Sequence, residues 1–211
     1  MRLIIAFLLF AALVAAGAGF LLLSRGDAPE ALVQAELVGV KFSYARAYAR
    51  DEGTGAGGLA DRLSFVALFP SFTPLPSKNS GAAQAVTLTV TPKDDSLDPA
   101  ERPAKLYARF LTAETHEGPG GLISRNFEPS SPYDLEQLFI APPDGRTFFA
   151  RCPKTQQGAP SEGCLSMFRQ GAVDVELRYP AALLDHWLAL VNGAHGLLSR
   201  MTAVPPRRKR P

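Results

Sequence analysis

Charge is missing from the beginning of this chain. After Arg2 the next charged residue is Arg25, and the 21 residues Leu3–Leu23 carry no charge and no strongly polar side chain. As a helix with a rise of about 1.5 Å per residue, this stretch would span about 31 Å, the thickness of the hydrocarbon core of a bilayer. The sequence therefore predicts a transmembrane signal-anchor within residues 1–25, with membrane contact through Leu3–Leu23.

A cleaved signal peptide is the alternative for the same segment. Arg2, the apolar run and Ala16-Gly17-Ala18 match the basic start and A-x-A exit of such a peptide. Cleavage after Ala18 would leave an apolar new terminus, and Phe20–Leu23 extend the run past that point, so we favour the uncleaved anchor. Arg2 and the N-terminal amine favour an N-inside orientation, although the basic C-terminal tail argues the other way. We therefore expect a single-pass protein of the inner membrane with its C-terminal domain in the periplasm.

A basic surface for nucleic acid is also missing. Four of the 22 basic residues lie together near the C-terminus, which leaves 18 against 20 acidic residues in the rest of the chain. A nucleic-acid-binding domain needs a clear basic excess, so no nucleic-acid partner is expected. The tail, residues 202–211, is predicted to be disordered, and its basic residues either contact anionic lipid or another polyanion or stay solvated. These residues are Arg207, Arg208, Lys209 and Arg210.

Cysteine is scarce, because the chain has only Cys152 and Cys164. The residues between them are typical of an exposed loop joining two strands, so we predict a structural disulfide across that loop. Such a bond stabilises a fold by about 3 kcal/mol in the chain-entropy model and indicates an oxidising compartment. The alternative is two unpaired buried thiols in a reducing compartment. A metal site is not expected, because two cysteines without a neighbouring histidine supply too few ligands.

Alternating apolar residues predict the fold class, and the first predicted strand has Val38, Val40, Phe42 and Tyr44 on one face. After a linker at residues 26–35, residues 36–201 form a single α+β domain with a mainly antiparallel sheet of about seven or eight strands. Two helices are expected to cover one apolar face of that sheet. The first begins at Asp98 or at Pro103, and the second runs from Pro180 to about Met201. The second helix has an apolar stripe formed by Leu184, Trp187, Leu188, Val191, His195 and Leu198.

The predicted disulfide also sets a strand register. Placing Cys152 opposite Cys164 puts Ala150 opposite Ser166 and Phe148 opposite Phe168. A Gln170-Gly171 turn puts the next strand in register, with Cys164 opposite Leu177. The residues expected on the shared buried face are Phe139, Phe148, Phe168, Val173, Val175 and Leu177. Those expected on the opposite, wet face are Arg169, Asp174, Glu176 and Arg178.

Catalytic motifs are missing as well. The chain has no phosphate-binding loop, no H-E-x-x-H and no nucleophile-elbow serine. Gly53–Gly58 matches G-x-G-x-x-G, but a strand pattern follows it, so we interpret it as a flexible hairpin connection. Asp185-His186 is expected on solvent-exposed helix surface, and His195 lies on the other side of that helix, so the two histidines cannot share a metal. We predict no catalytic residue, no cofactor, no metal and no enzymatic activity.

Three classes of function therefore stay open. The first is a membrane-anchored envelope protein whose periplasmic domain binds a protein partner. The second is a periplasmic inhibitor or immunity-type protein that neutralises a toxin or hydrolase. The third is an enzyme whose active-site residues are dispersed along the sequence. A deep polar pocket that holds coupled carboxylates or His116 would support this third class. Abundant Ala, Gly and Pro, with more Arg than Lys, are typical of a bacterial chain.

Overall fold

The structure is a computed structural model that describes residues 28–76, 83–95, 97–154 and 163–203. The predicted anchor Leu3–Leu23 and the basic residues 207–210 lie outside the described residues. Within those four ranges, no helix is both long enough and apolar enough to cross a bilayer.

The described residues form strands in two sheets, two α-helices and several short 3-10 turns. The strands are β1 Leu32–Leu37, β2 Val40–Ala45, β3 Gly58–Leu59, β4 Leu63–Leu68, β5 Ala85–Pro92, β6 His116–Glu117, β7 Ile123–Asn126, β8 Glu136–Ile140, β9 Phe149–Pro153, β10 Cys164–Gln170 and β11 Val173–Tyr179. The helices are α1 Glu52–Ala56 and α2 Trp187–Thr202, the latter preceded by a 3-10 helix at Ala181–His186.

The larger sheet has eight strands in the order β4-β5-β11-β10-β9-β8-β7-β6, and its neighbouring strands are antiparallel. The mainly antiparallel sheet and the α+β class are therefore confirmed. One face of this sheet packs against α2 and the smaller sheet to form the main core. The edge-to-face contact of Tyr44 with Phe65, at 4.8 Å between ring centroids, joins the two sheets.

The smaller sheet has the order β2-β1-β3, with β2 antiparallel and β3 parallel to β1. Residues 32–35, which we expected within a linker, are therefore the first part of β1. A two-residue turn at Val38-Gly39 joins β1 to β2, so the inward positions are odd-numbered in β1 and even-numbered in β2. The sequence interpretation assigned Val38 to a strand and therefore missed the odd-numbered alternation before it.

The C-terminal helix departs from its predicted stripe at one position. Leu184, Val191 and Leu198 are buried, but Leu188 is 53% exposed. The helical chain bends at His186, where φ is −113° and ψ is 24°, so spacing counted from Leu184 does not continue unchanged into α2. Trp187 and His195 are half-buried.

The other predicted helix is irregular and lies on the opposite face. Pro99–Glu101 and Ala108–Phe110 are 3-10 turns, and Pro103–Tyr107 is a π-helical turn. Pro103 lacks an N–H and so cannot extend a regular helix from Asp98. This segment covers a second core made of Tyr107, Phe127, Leu138 and Phe149. The prediction that both helices cover the same face is therefore wrong.

The β9–β10 register agrees with the prediction, because Leu165 pairs with Arg151. The β10–β11 register differs by two residues. Cys164 lies opposite Tyr179 and Gln170 opposite Val173, since the turn is Gly171-Ala172. A shift of two residues preserves the side-chain alternation, so the predicted face is still the core face. Its members are buried in the main core except Phe168, which is half-buried against it.

The opposite face is not wholly wet. Asp174 is only 3% exposed, and its Oδ1 accepts a hydrogen bond from Arg169 Nε at 2.6 Å. Its Oδ2 accepts one from the Asp94 backbone N–H at 2.8 Å, and Arg169 also pairs with Asp98 at 3.4 Å. The chain before the irregular helical segment therefore covers this part of the sheet, which corrects the prediction for Asp174.

Candidate partner-binding surface

Asp185, His186 and His195, which we considered as candidates for a catalytic or metal site, each contact another part of the folded chain. Asp185 Oδ1 accepts a hydrogen bond from Gly120 N at 3.1 Å, and the His186 ring stacks on Phe69 at 5.9 Å between centroids. His195 Nδ1 lies 2.8 Å from Gln170 Oε1, and burial lowers its pKa. No group of three or more metal-ligating side chains occurs in the part of the chain that the structure describes.

His116 lies on the edge strand β6 and lines an open groove of about 560 Å³. Glu117 shares that lining, and Glu114 Oε2 lies 4.0 Å from His116 Nε2. The His116 and Glu114 side chains are 52% and 80% exposed. The groove is therefore an open, solvent-exposed surface depression, unlike the deep polar pocket that we would expect of an enzyme.

The predicted Cys152–Cys164 disulfide is present, with the two Cα atoms 4.2 Å apart. Both cysteines are buried, at 3% and 0% exposure. Next to the bond, the hydroxyls of Ser166 and Tyr179 lie 2.6 Å apart, and burial raises the pKa of Tyr179. The disulfide thus ties β9 to β10 inside the main core, which is a structural role.

The Trp187 indole contacts the rest of the chain through one ring face and through its ring nitrogen. Its ring stacks on Phe148 at 5.2 Å between centroids, and its Nε1 donates a hydrogen bond to Gly120 O at 3.0 Å. The groove beside it, about 540 Å³, is lined by Trp187, Leu188 and neighbouring residues of the helix start. We interpret Trp187 as a packing residue that fixes the start of α2 against the Gly120 turn.

The tip of the smaller sheet carries a feature that the sequence interpretation missed. The Val38-Gly39 turn has φ values of 50° and 75°, so both residues are in the left-handed region. Asn-Gly is the usual solution for such a turn, whereas a β-branched residue there is strained by about 1–3 kcal/mol. Val38 is 57% exposed, so core burial does not offset this strain.

A second exposed apolar residue lies beside that turn. Leu59 of β3 pairs with Glu36 of β1 and is 89% exposed. Lys41 pairs with Glu36 from the other side, so the three side chains form one row on the outer face of the sheet. By alternation Gln34 points to the same face, and Val38 follows the end of β1 in the exposed turn. A groove of about 330 Å³ lies along this row. We call Gln34, Glu36, Val38, Lys41 and Leu59 the tip surface.

The Gly53–Gly58 segment positions Leu59 and is more ordered than the flexible connection we expected. Asp51 caps α1 by accepting a hydrogen bond from Thr54 N at 2.8 Å, and this bond lowers the pKa of the Asp51 carboxyl. Thr54 is buried: its Oγ1 accepts from Ser64 N at 2.9 Å and its carbonyl accepts from Tyr44 Oη at 2.7 Å. These bonds fix α1, and hence β3, against both sheets.

Gly57 completes that connection. Its φ is 75° and its ψ is −159°, a combination that only glycine adopts readily. A Cβ atom there would collide with the Gln34 carbonyl oxygen and lie 2.8 Å from Val33 Cγ1. The close approach of Gly57 to β1 therefore sets the position of Leu59 next to Glu36.

No family model matches this chain, and no curated protein matches it. A solved structure that it resembles is Smlt3025, an immunity protein of the Stenotrophomonas maltophilia type IV secretion system. The TM-score is 0.60 at 13% sequence identity, over 83% of this chain and 94% of that one. The two chains share a fold. The resemblance covers nearly the whole of the immunity protein, although the identity is too low to transfer residue roles.

Proposed function

We propose that this protein is an immunity-type protein that binds and neutralises a toxin or hydrolase in the periplasm. The observation that carries the proposal is the fold likeness to a secretion-system immunity protein over 94% of that protein's length. This narrows the broader expectation of an envelope protein with a partner-binding domain. Smlt3025 is described as an immunity protein, which is compatible with a function of this chain that involves no catalysis.

The proposed location follows from two features. The disulfide in the main core suits an oxidising compartment such as the periplasm. The uncharged run Leu3–Leu23 suits a single-pass anchor in the inner membrane, with the α+β domain on the periplasmic side. An immunity protein in that position would meet an incoming toxin before the toxin reaches its target in the envelope.

The proposed function requires that the protein bind the toxin or hydrolase, and it requires no catalysis by this chain. Neutralisation by binding needs a preformed surface that contacts the partner, and burial of exposed apolar side chains is the main favourable contribution to most protein–protein association. The tip surface meets this description, with Leu59 89% exposed and Val38 57% exposed beside charged residues of both signs.

A growth test checks the proposed function. The reading frames adjacent to this gene are each expressed with a periplasmic export signal, alone and together with the full-length chain. We expect one of them to inhibit growth and the full-length chain to restore it. Cells whose growth no adjacent product inhibits, or whose inhibition the chain does not relieve, would contradict the proposal.

A further inference from the structure

We propose that the tip surface is the part of this protein that contacts its partner, and that its occupant is a concave, apolar-floored cleft of the toxin. This deepens the proposed function and rests on it. Val38 and Leu59 would enter the cleft, and Glu36 and Lys41 would contact its rim. Clefts of this shape, mostly apolar with a few placed polar groups, are typical of enzyme active sites.

The first argument is the choice of residue at the turn. A two-residue turn with positive φ at both positions is best served by Asn-Gly, yet this chain has valine at the first position. Burial in the core does not offset the backbone strain at Val38, because this side chain is 57% exposed. Strain that is retained at an exposed position points to a function of the side chain outside the folded chain itself.

The second argument is the position of the tip. The carbonyls of Pro29 and Ala31 accept hydrogen bonds from the backbone N–H groups of Ala47 and Arg46, at the end of the hairpin opposite Val38. Six-residue strands at about 3.3 Å per residue separate the two ends by about 20 Å. If the chain before residue 28 leads to the membrane, the tip points away from it. A membrane occupant is therefore disfavoured, and a periplasmic protein can reach the surface.

The third argument is shape and charge. Val38 and Leu59 protrude into solvent at the tip of the smaller sheet, where they are 57% and 89% exposed. A concave partner is the complement of such a shape. Glu36 and Lys41 lie opposite each other next to Leu59, so both signs of charge are available to fix the orientation of the bound cleft.

Three variants of the full-length chain in detergent test the proposal. They are the double variant Val38→Asp/Leu59→Asp, the single variant Val38→Asn, and the control Leu188→Asp at another exposed leucine. The probe is the purified product of the adjacent reading frame that inhibits growth. Circular dichroism and an intact disulfide establish that each variant is folded.

We expect the double variant to weaken binding at least about 30-fold, as loss of interface hot spots does, and the control to stay within about threefold of the parent chain. Val38→Asn should raise the midpoint of thermal unfolding because it relieves the turn, and should weaken binding about tenfold because it removes the apolar contact. If Val38 had only a structural role, a variant that raises the midpoint of thermal unfolding would not also weaken binding.

Other outcomes are equally informative. Tight binding by the parent chain together with unchanged binding by both tip variants would overturn the tip surface and leave the immunity function standing. A dimer of the parent chain that the double variant abolishes would make a second copy the occupant and also overturn the proposal. A parent chain that does not bind the growth-inhibiting product would overturn the immunity function and this inference with it.

Discussion

The side chain of His195 connects the C-terminal helix α2 to strand β10 of the larger sheet. Its ring packs against Phe168 at 3.9 Å between centroids, and its Nδ1 contacts Gln170. Burial lowers its pKa, because the charged imidazolium would lose hydration. The unfolded chain therefore takes up a proton on this residue at a higher pH than the folded protein does, and stability falls as the pH drops below about 6.5.

We accordingly expect His195→Gln to flatten the decline in the free energy of unfolding between about pH 7 and pH 5. Urea denaturation at several pH values measures this slope. His116→Gln, on the exposed edge strand β6, is the matched control. An equal flattening in the control, or an unchanged slope in His195→Gln, would show that His195 is not responsible.

At this same scale, side-chain alternation was predictable and turn chemistry was not. Phe139, Phe148 and Val175 are on the face that simple alternation predicts, because a two-residue register shift leaves alternation intact. Val38 was assigned to a strand because it continues the alternation of Val40, Phe42 and Tyr44. The Gly39 that follows it is the signal that could have identified the turn.

At the scale of elements, the Gly57–Leu59 connection decides whether the tip surface exists. Gly57→Ala should destabilise the protein by about 3 kcal/mol or more, because the new Cβ would collide with the Gln34 carbonyl in a backbone region that alanine avoids. Gly58→Ala is the matched control: its φ is 86°, but nothing lies within 4 Å of a Cβ there. We expect about 1–2 kcal/mol for the control.

Chemical denaturation of both variants measures this difference. Equal losses in Gly57→Ala and Gly58→Ala would mean that backbone conformation alone matters and that β3 is not fixed by close approach to β1. A clearly larger loss in Gly57→Ala than in Gly58→Ala would support a preformed tip. A binding surface that is already ordered does not lose affinity to the cost of becoming ordered on binding.

The irregular segment at residues 99–110 shows why some elements escape sequence analysis. Its apolar residues follow helical spacing, but prolines at 99 and 103 divide it into 3-10 and π turns. The segment packs on the second core, which includes the strand residues Leu138 and Phe149. The next residues in the same strands, Phe139 and Ala150, face the main core on the other side of the sheet. Strands that are apolar on both faces give no alternation signal, so the sequence could not indicate that this face is covered.

At the scale of the whole molecule, the proposed anchor makes a direct prediction. Because Leu3–Leu23 is uncharged and long enough to span a bilayer, the full-length protein should stay in the membrane pellet after a carbonate wash. Mass measurement and N-terminal sequencing of the mature protein complete the test. A soluble product that begins near Gly19 would establish signal-peptide cleavage and remove the anchor from the proposal.

The disulfide links the fold to the compartment in which the molecule works. Cys152 and Cys164 are bonded inside the main core, where both residues are buried. We therefore expect neither cysteine in freshly isolated protein to react with an alkylating agent, even in denaturant, until a reductant is added. Denaturant is essential to the test, because burial alone would also protect two unpaired thiols from the reagent. Two alkylated cysteines in denatured, unreduced protein would place the domain in a reducing compartment, reverse the proposed orientation and remove the periplasmic toxin as its partner.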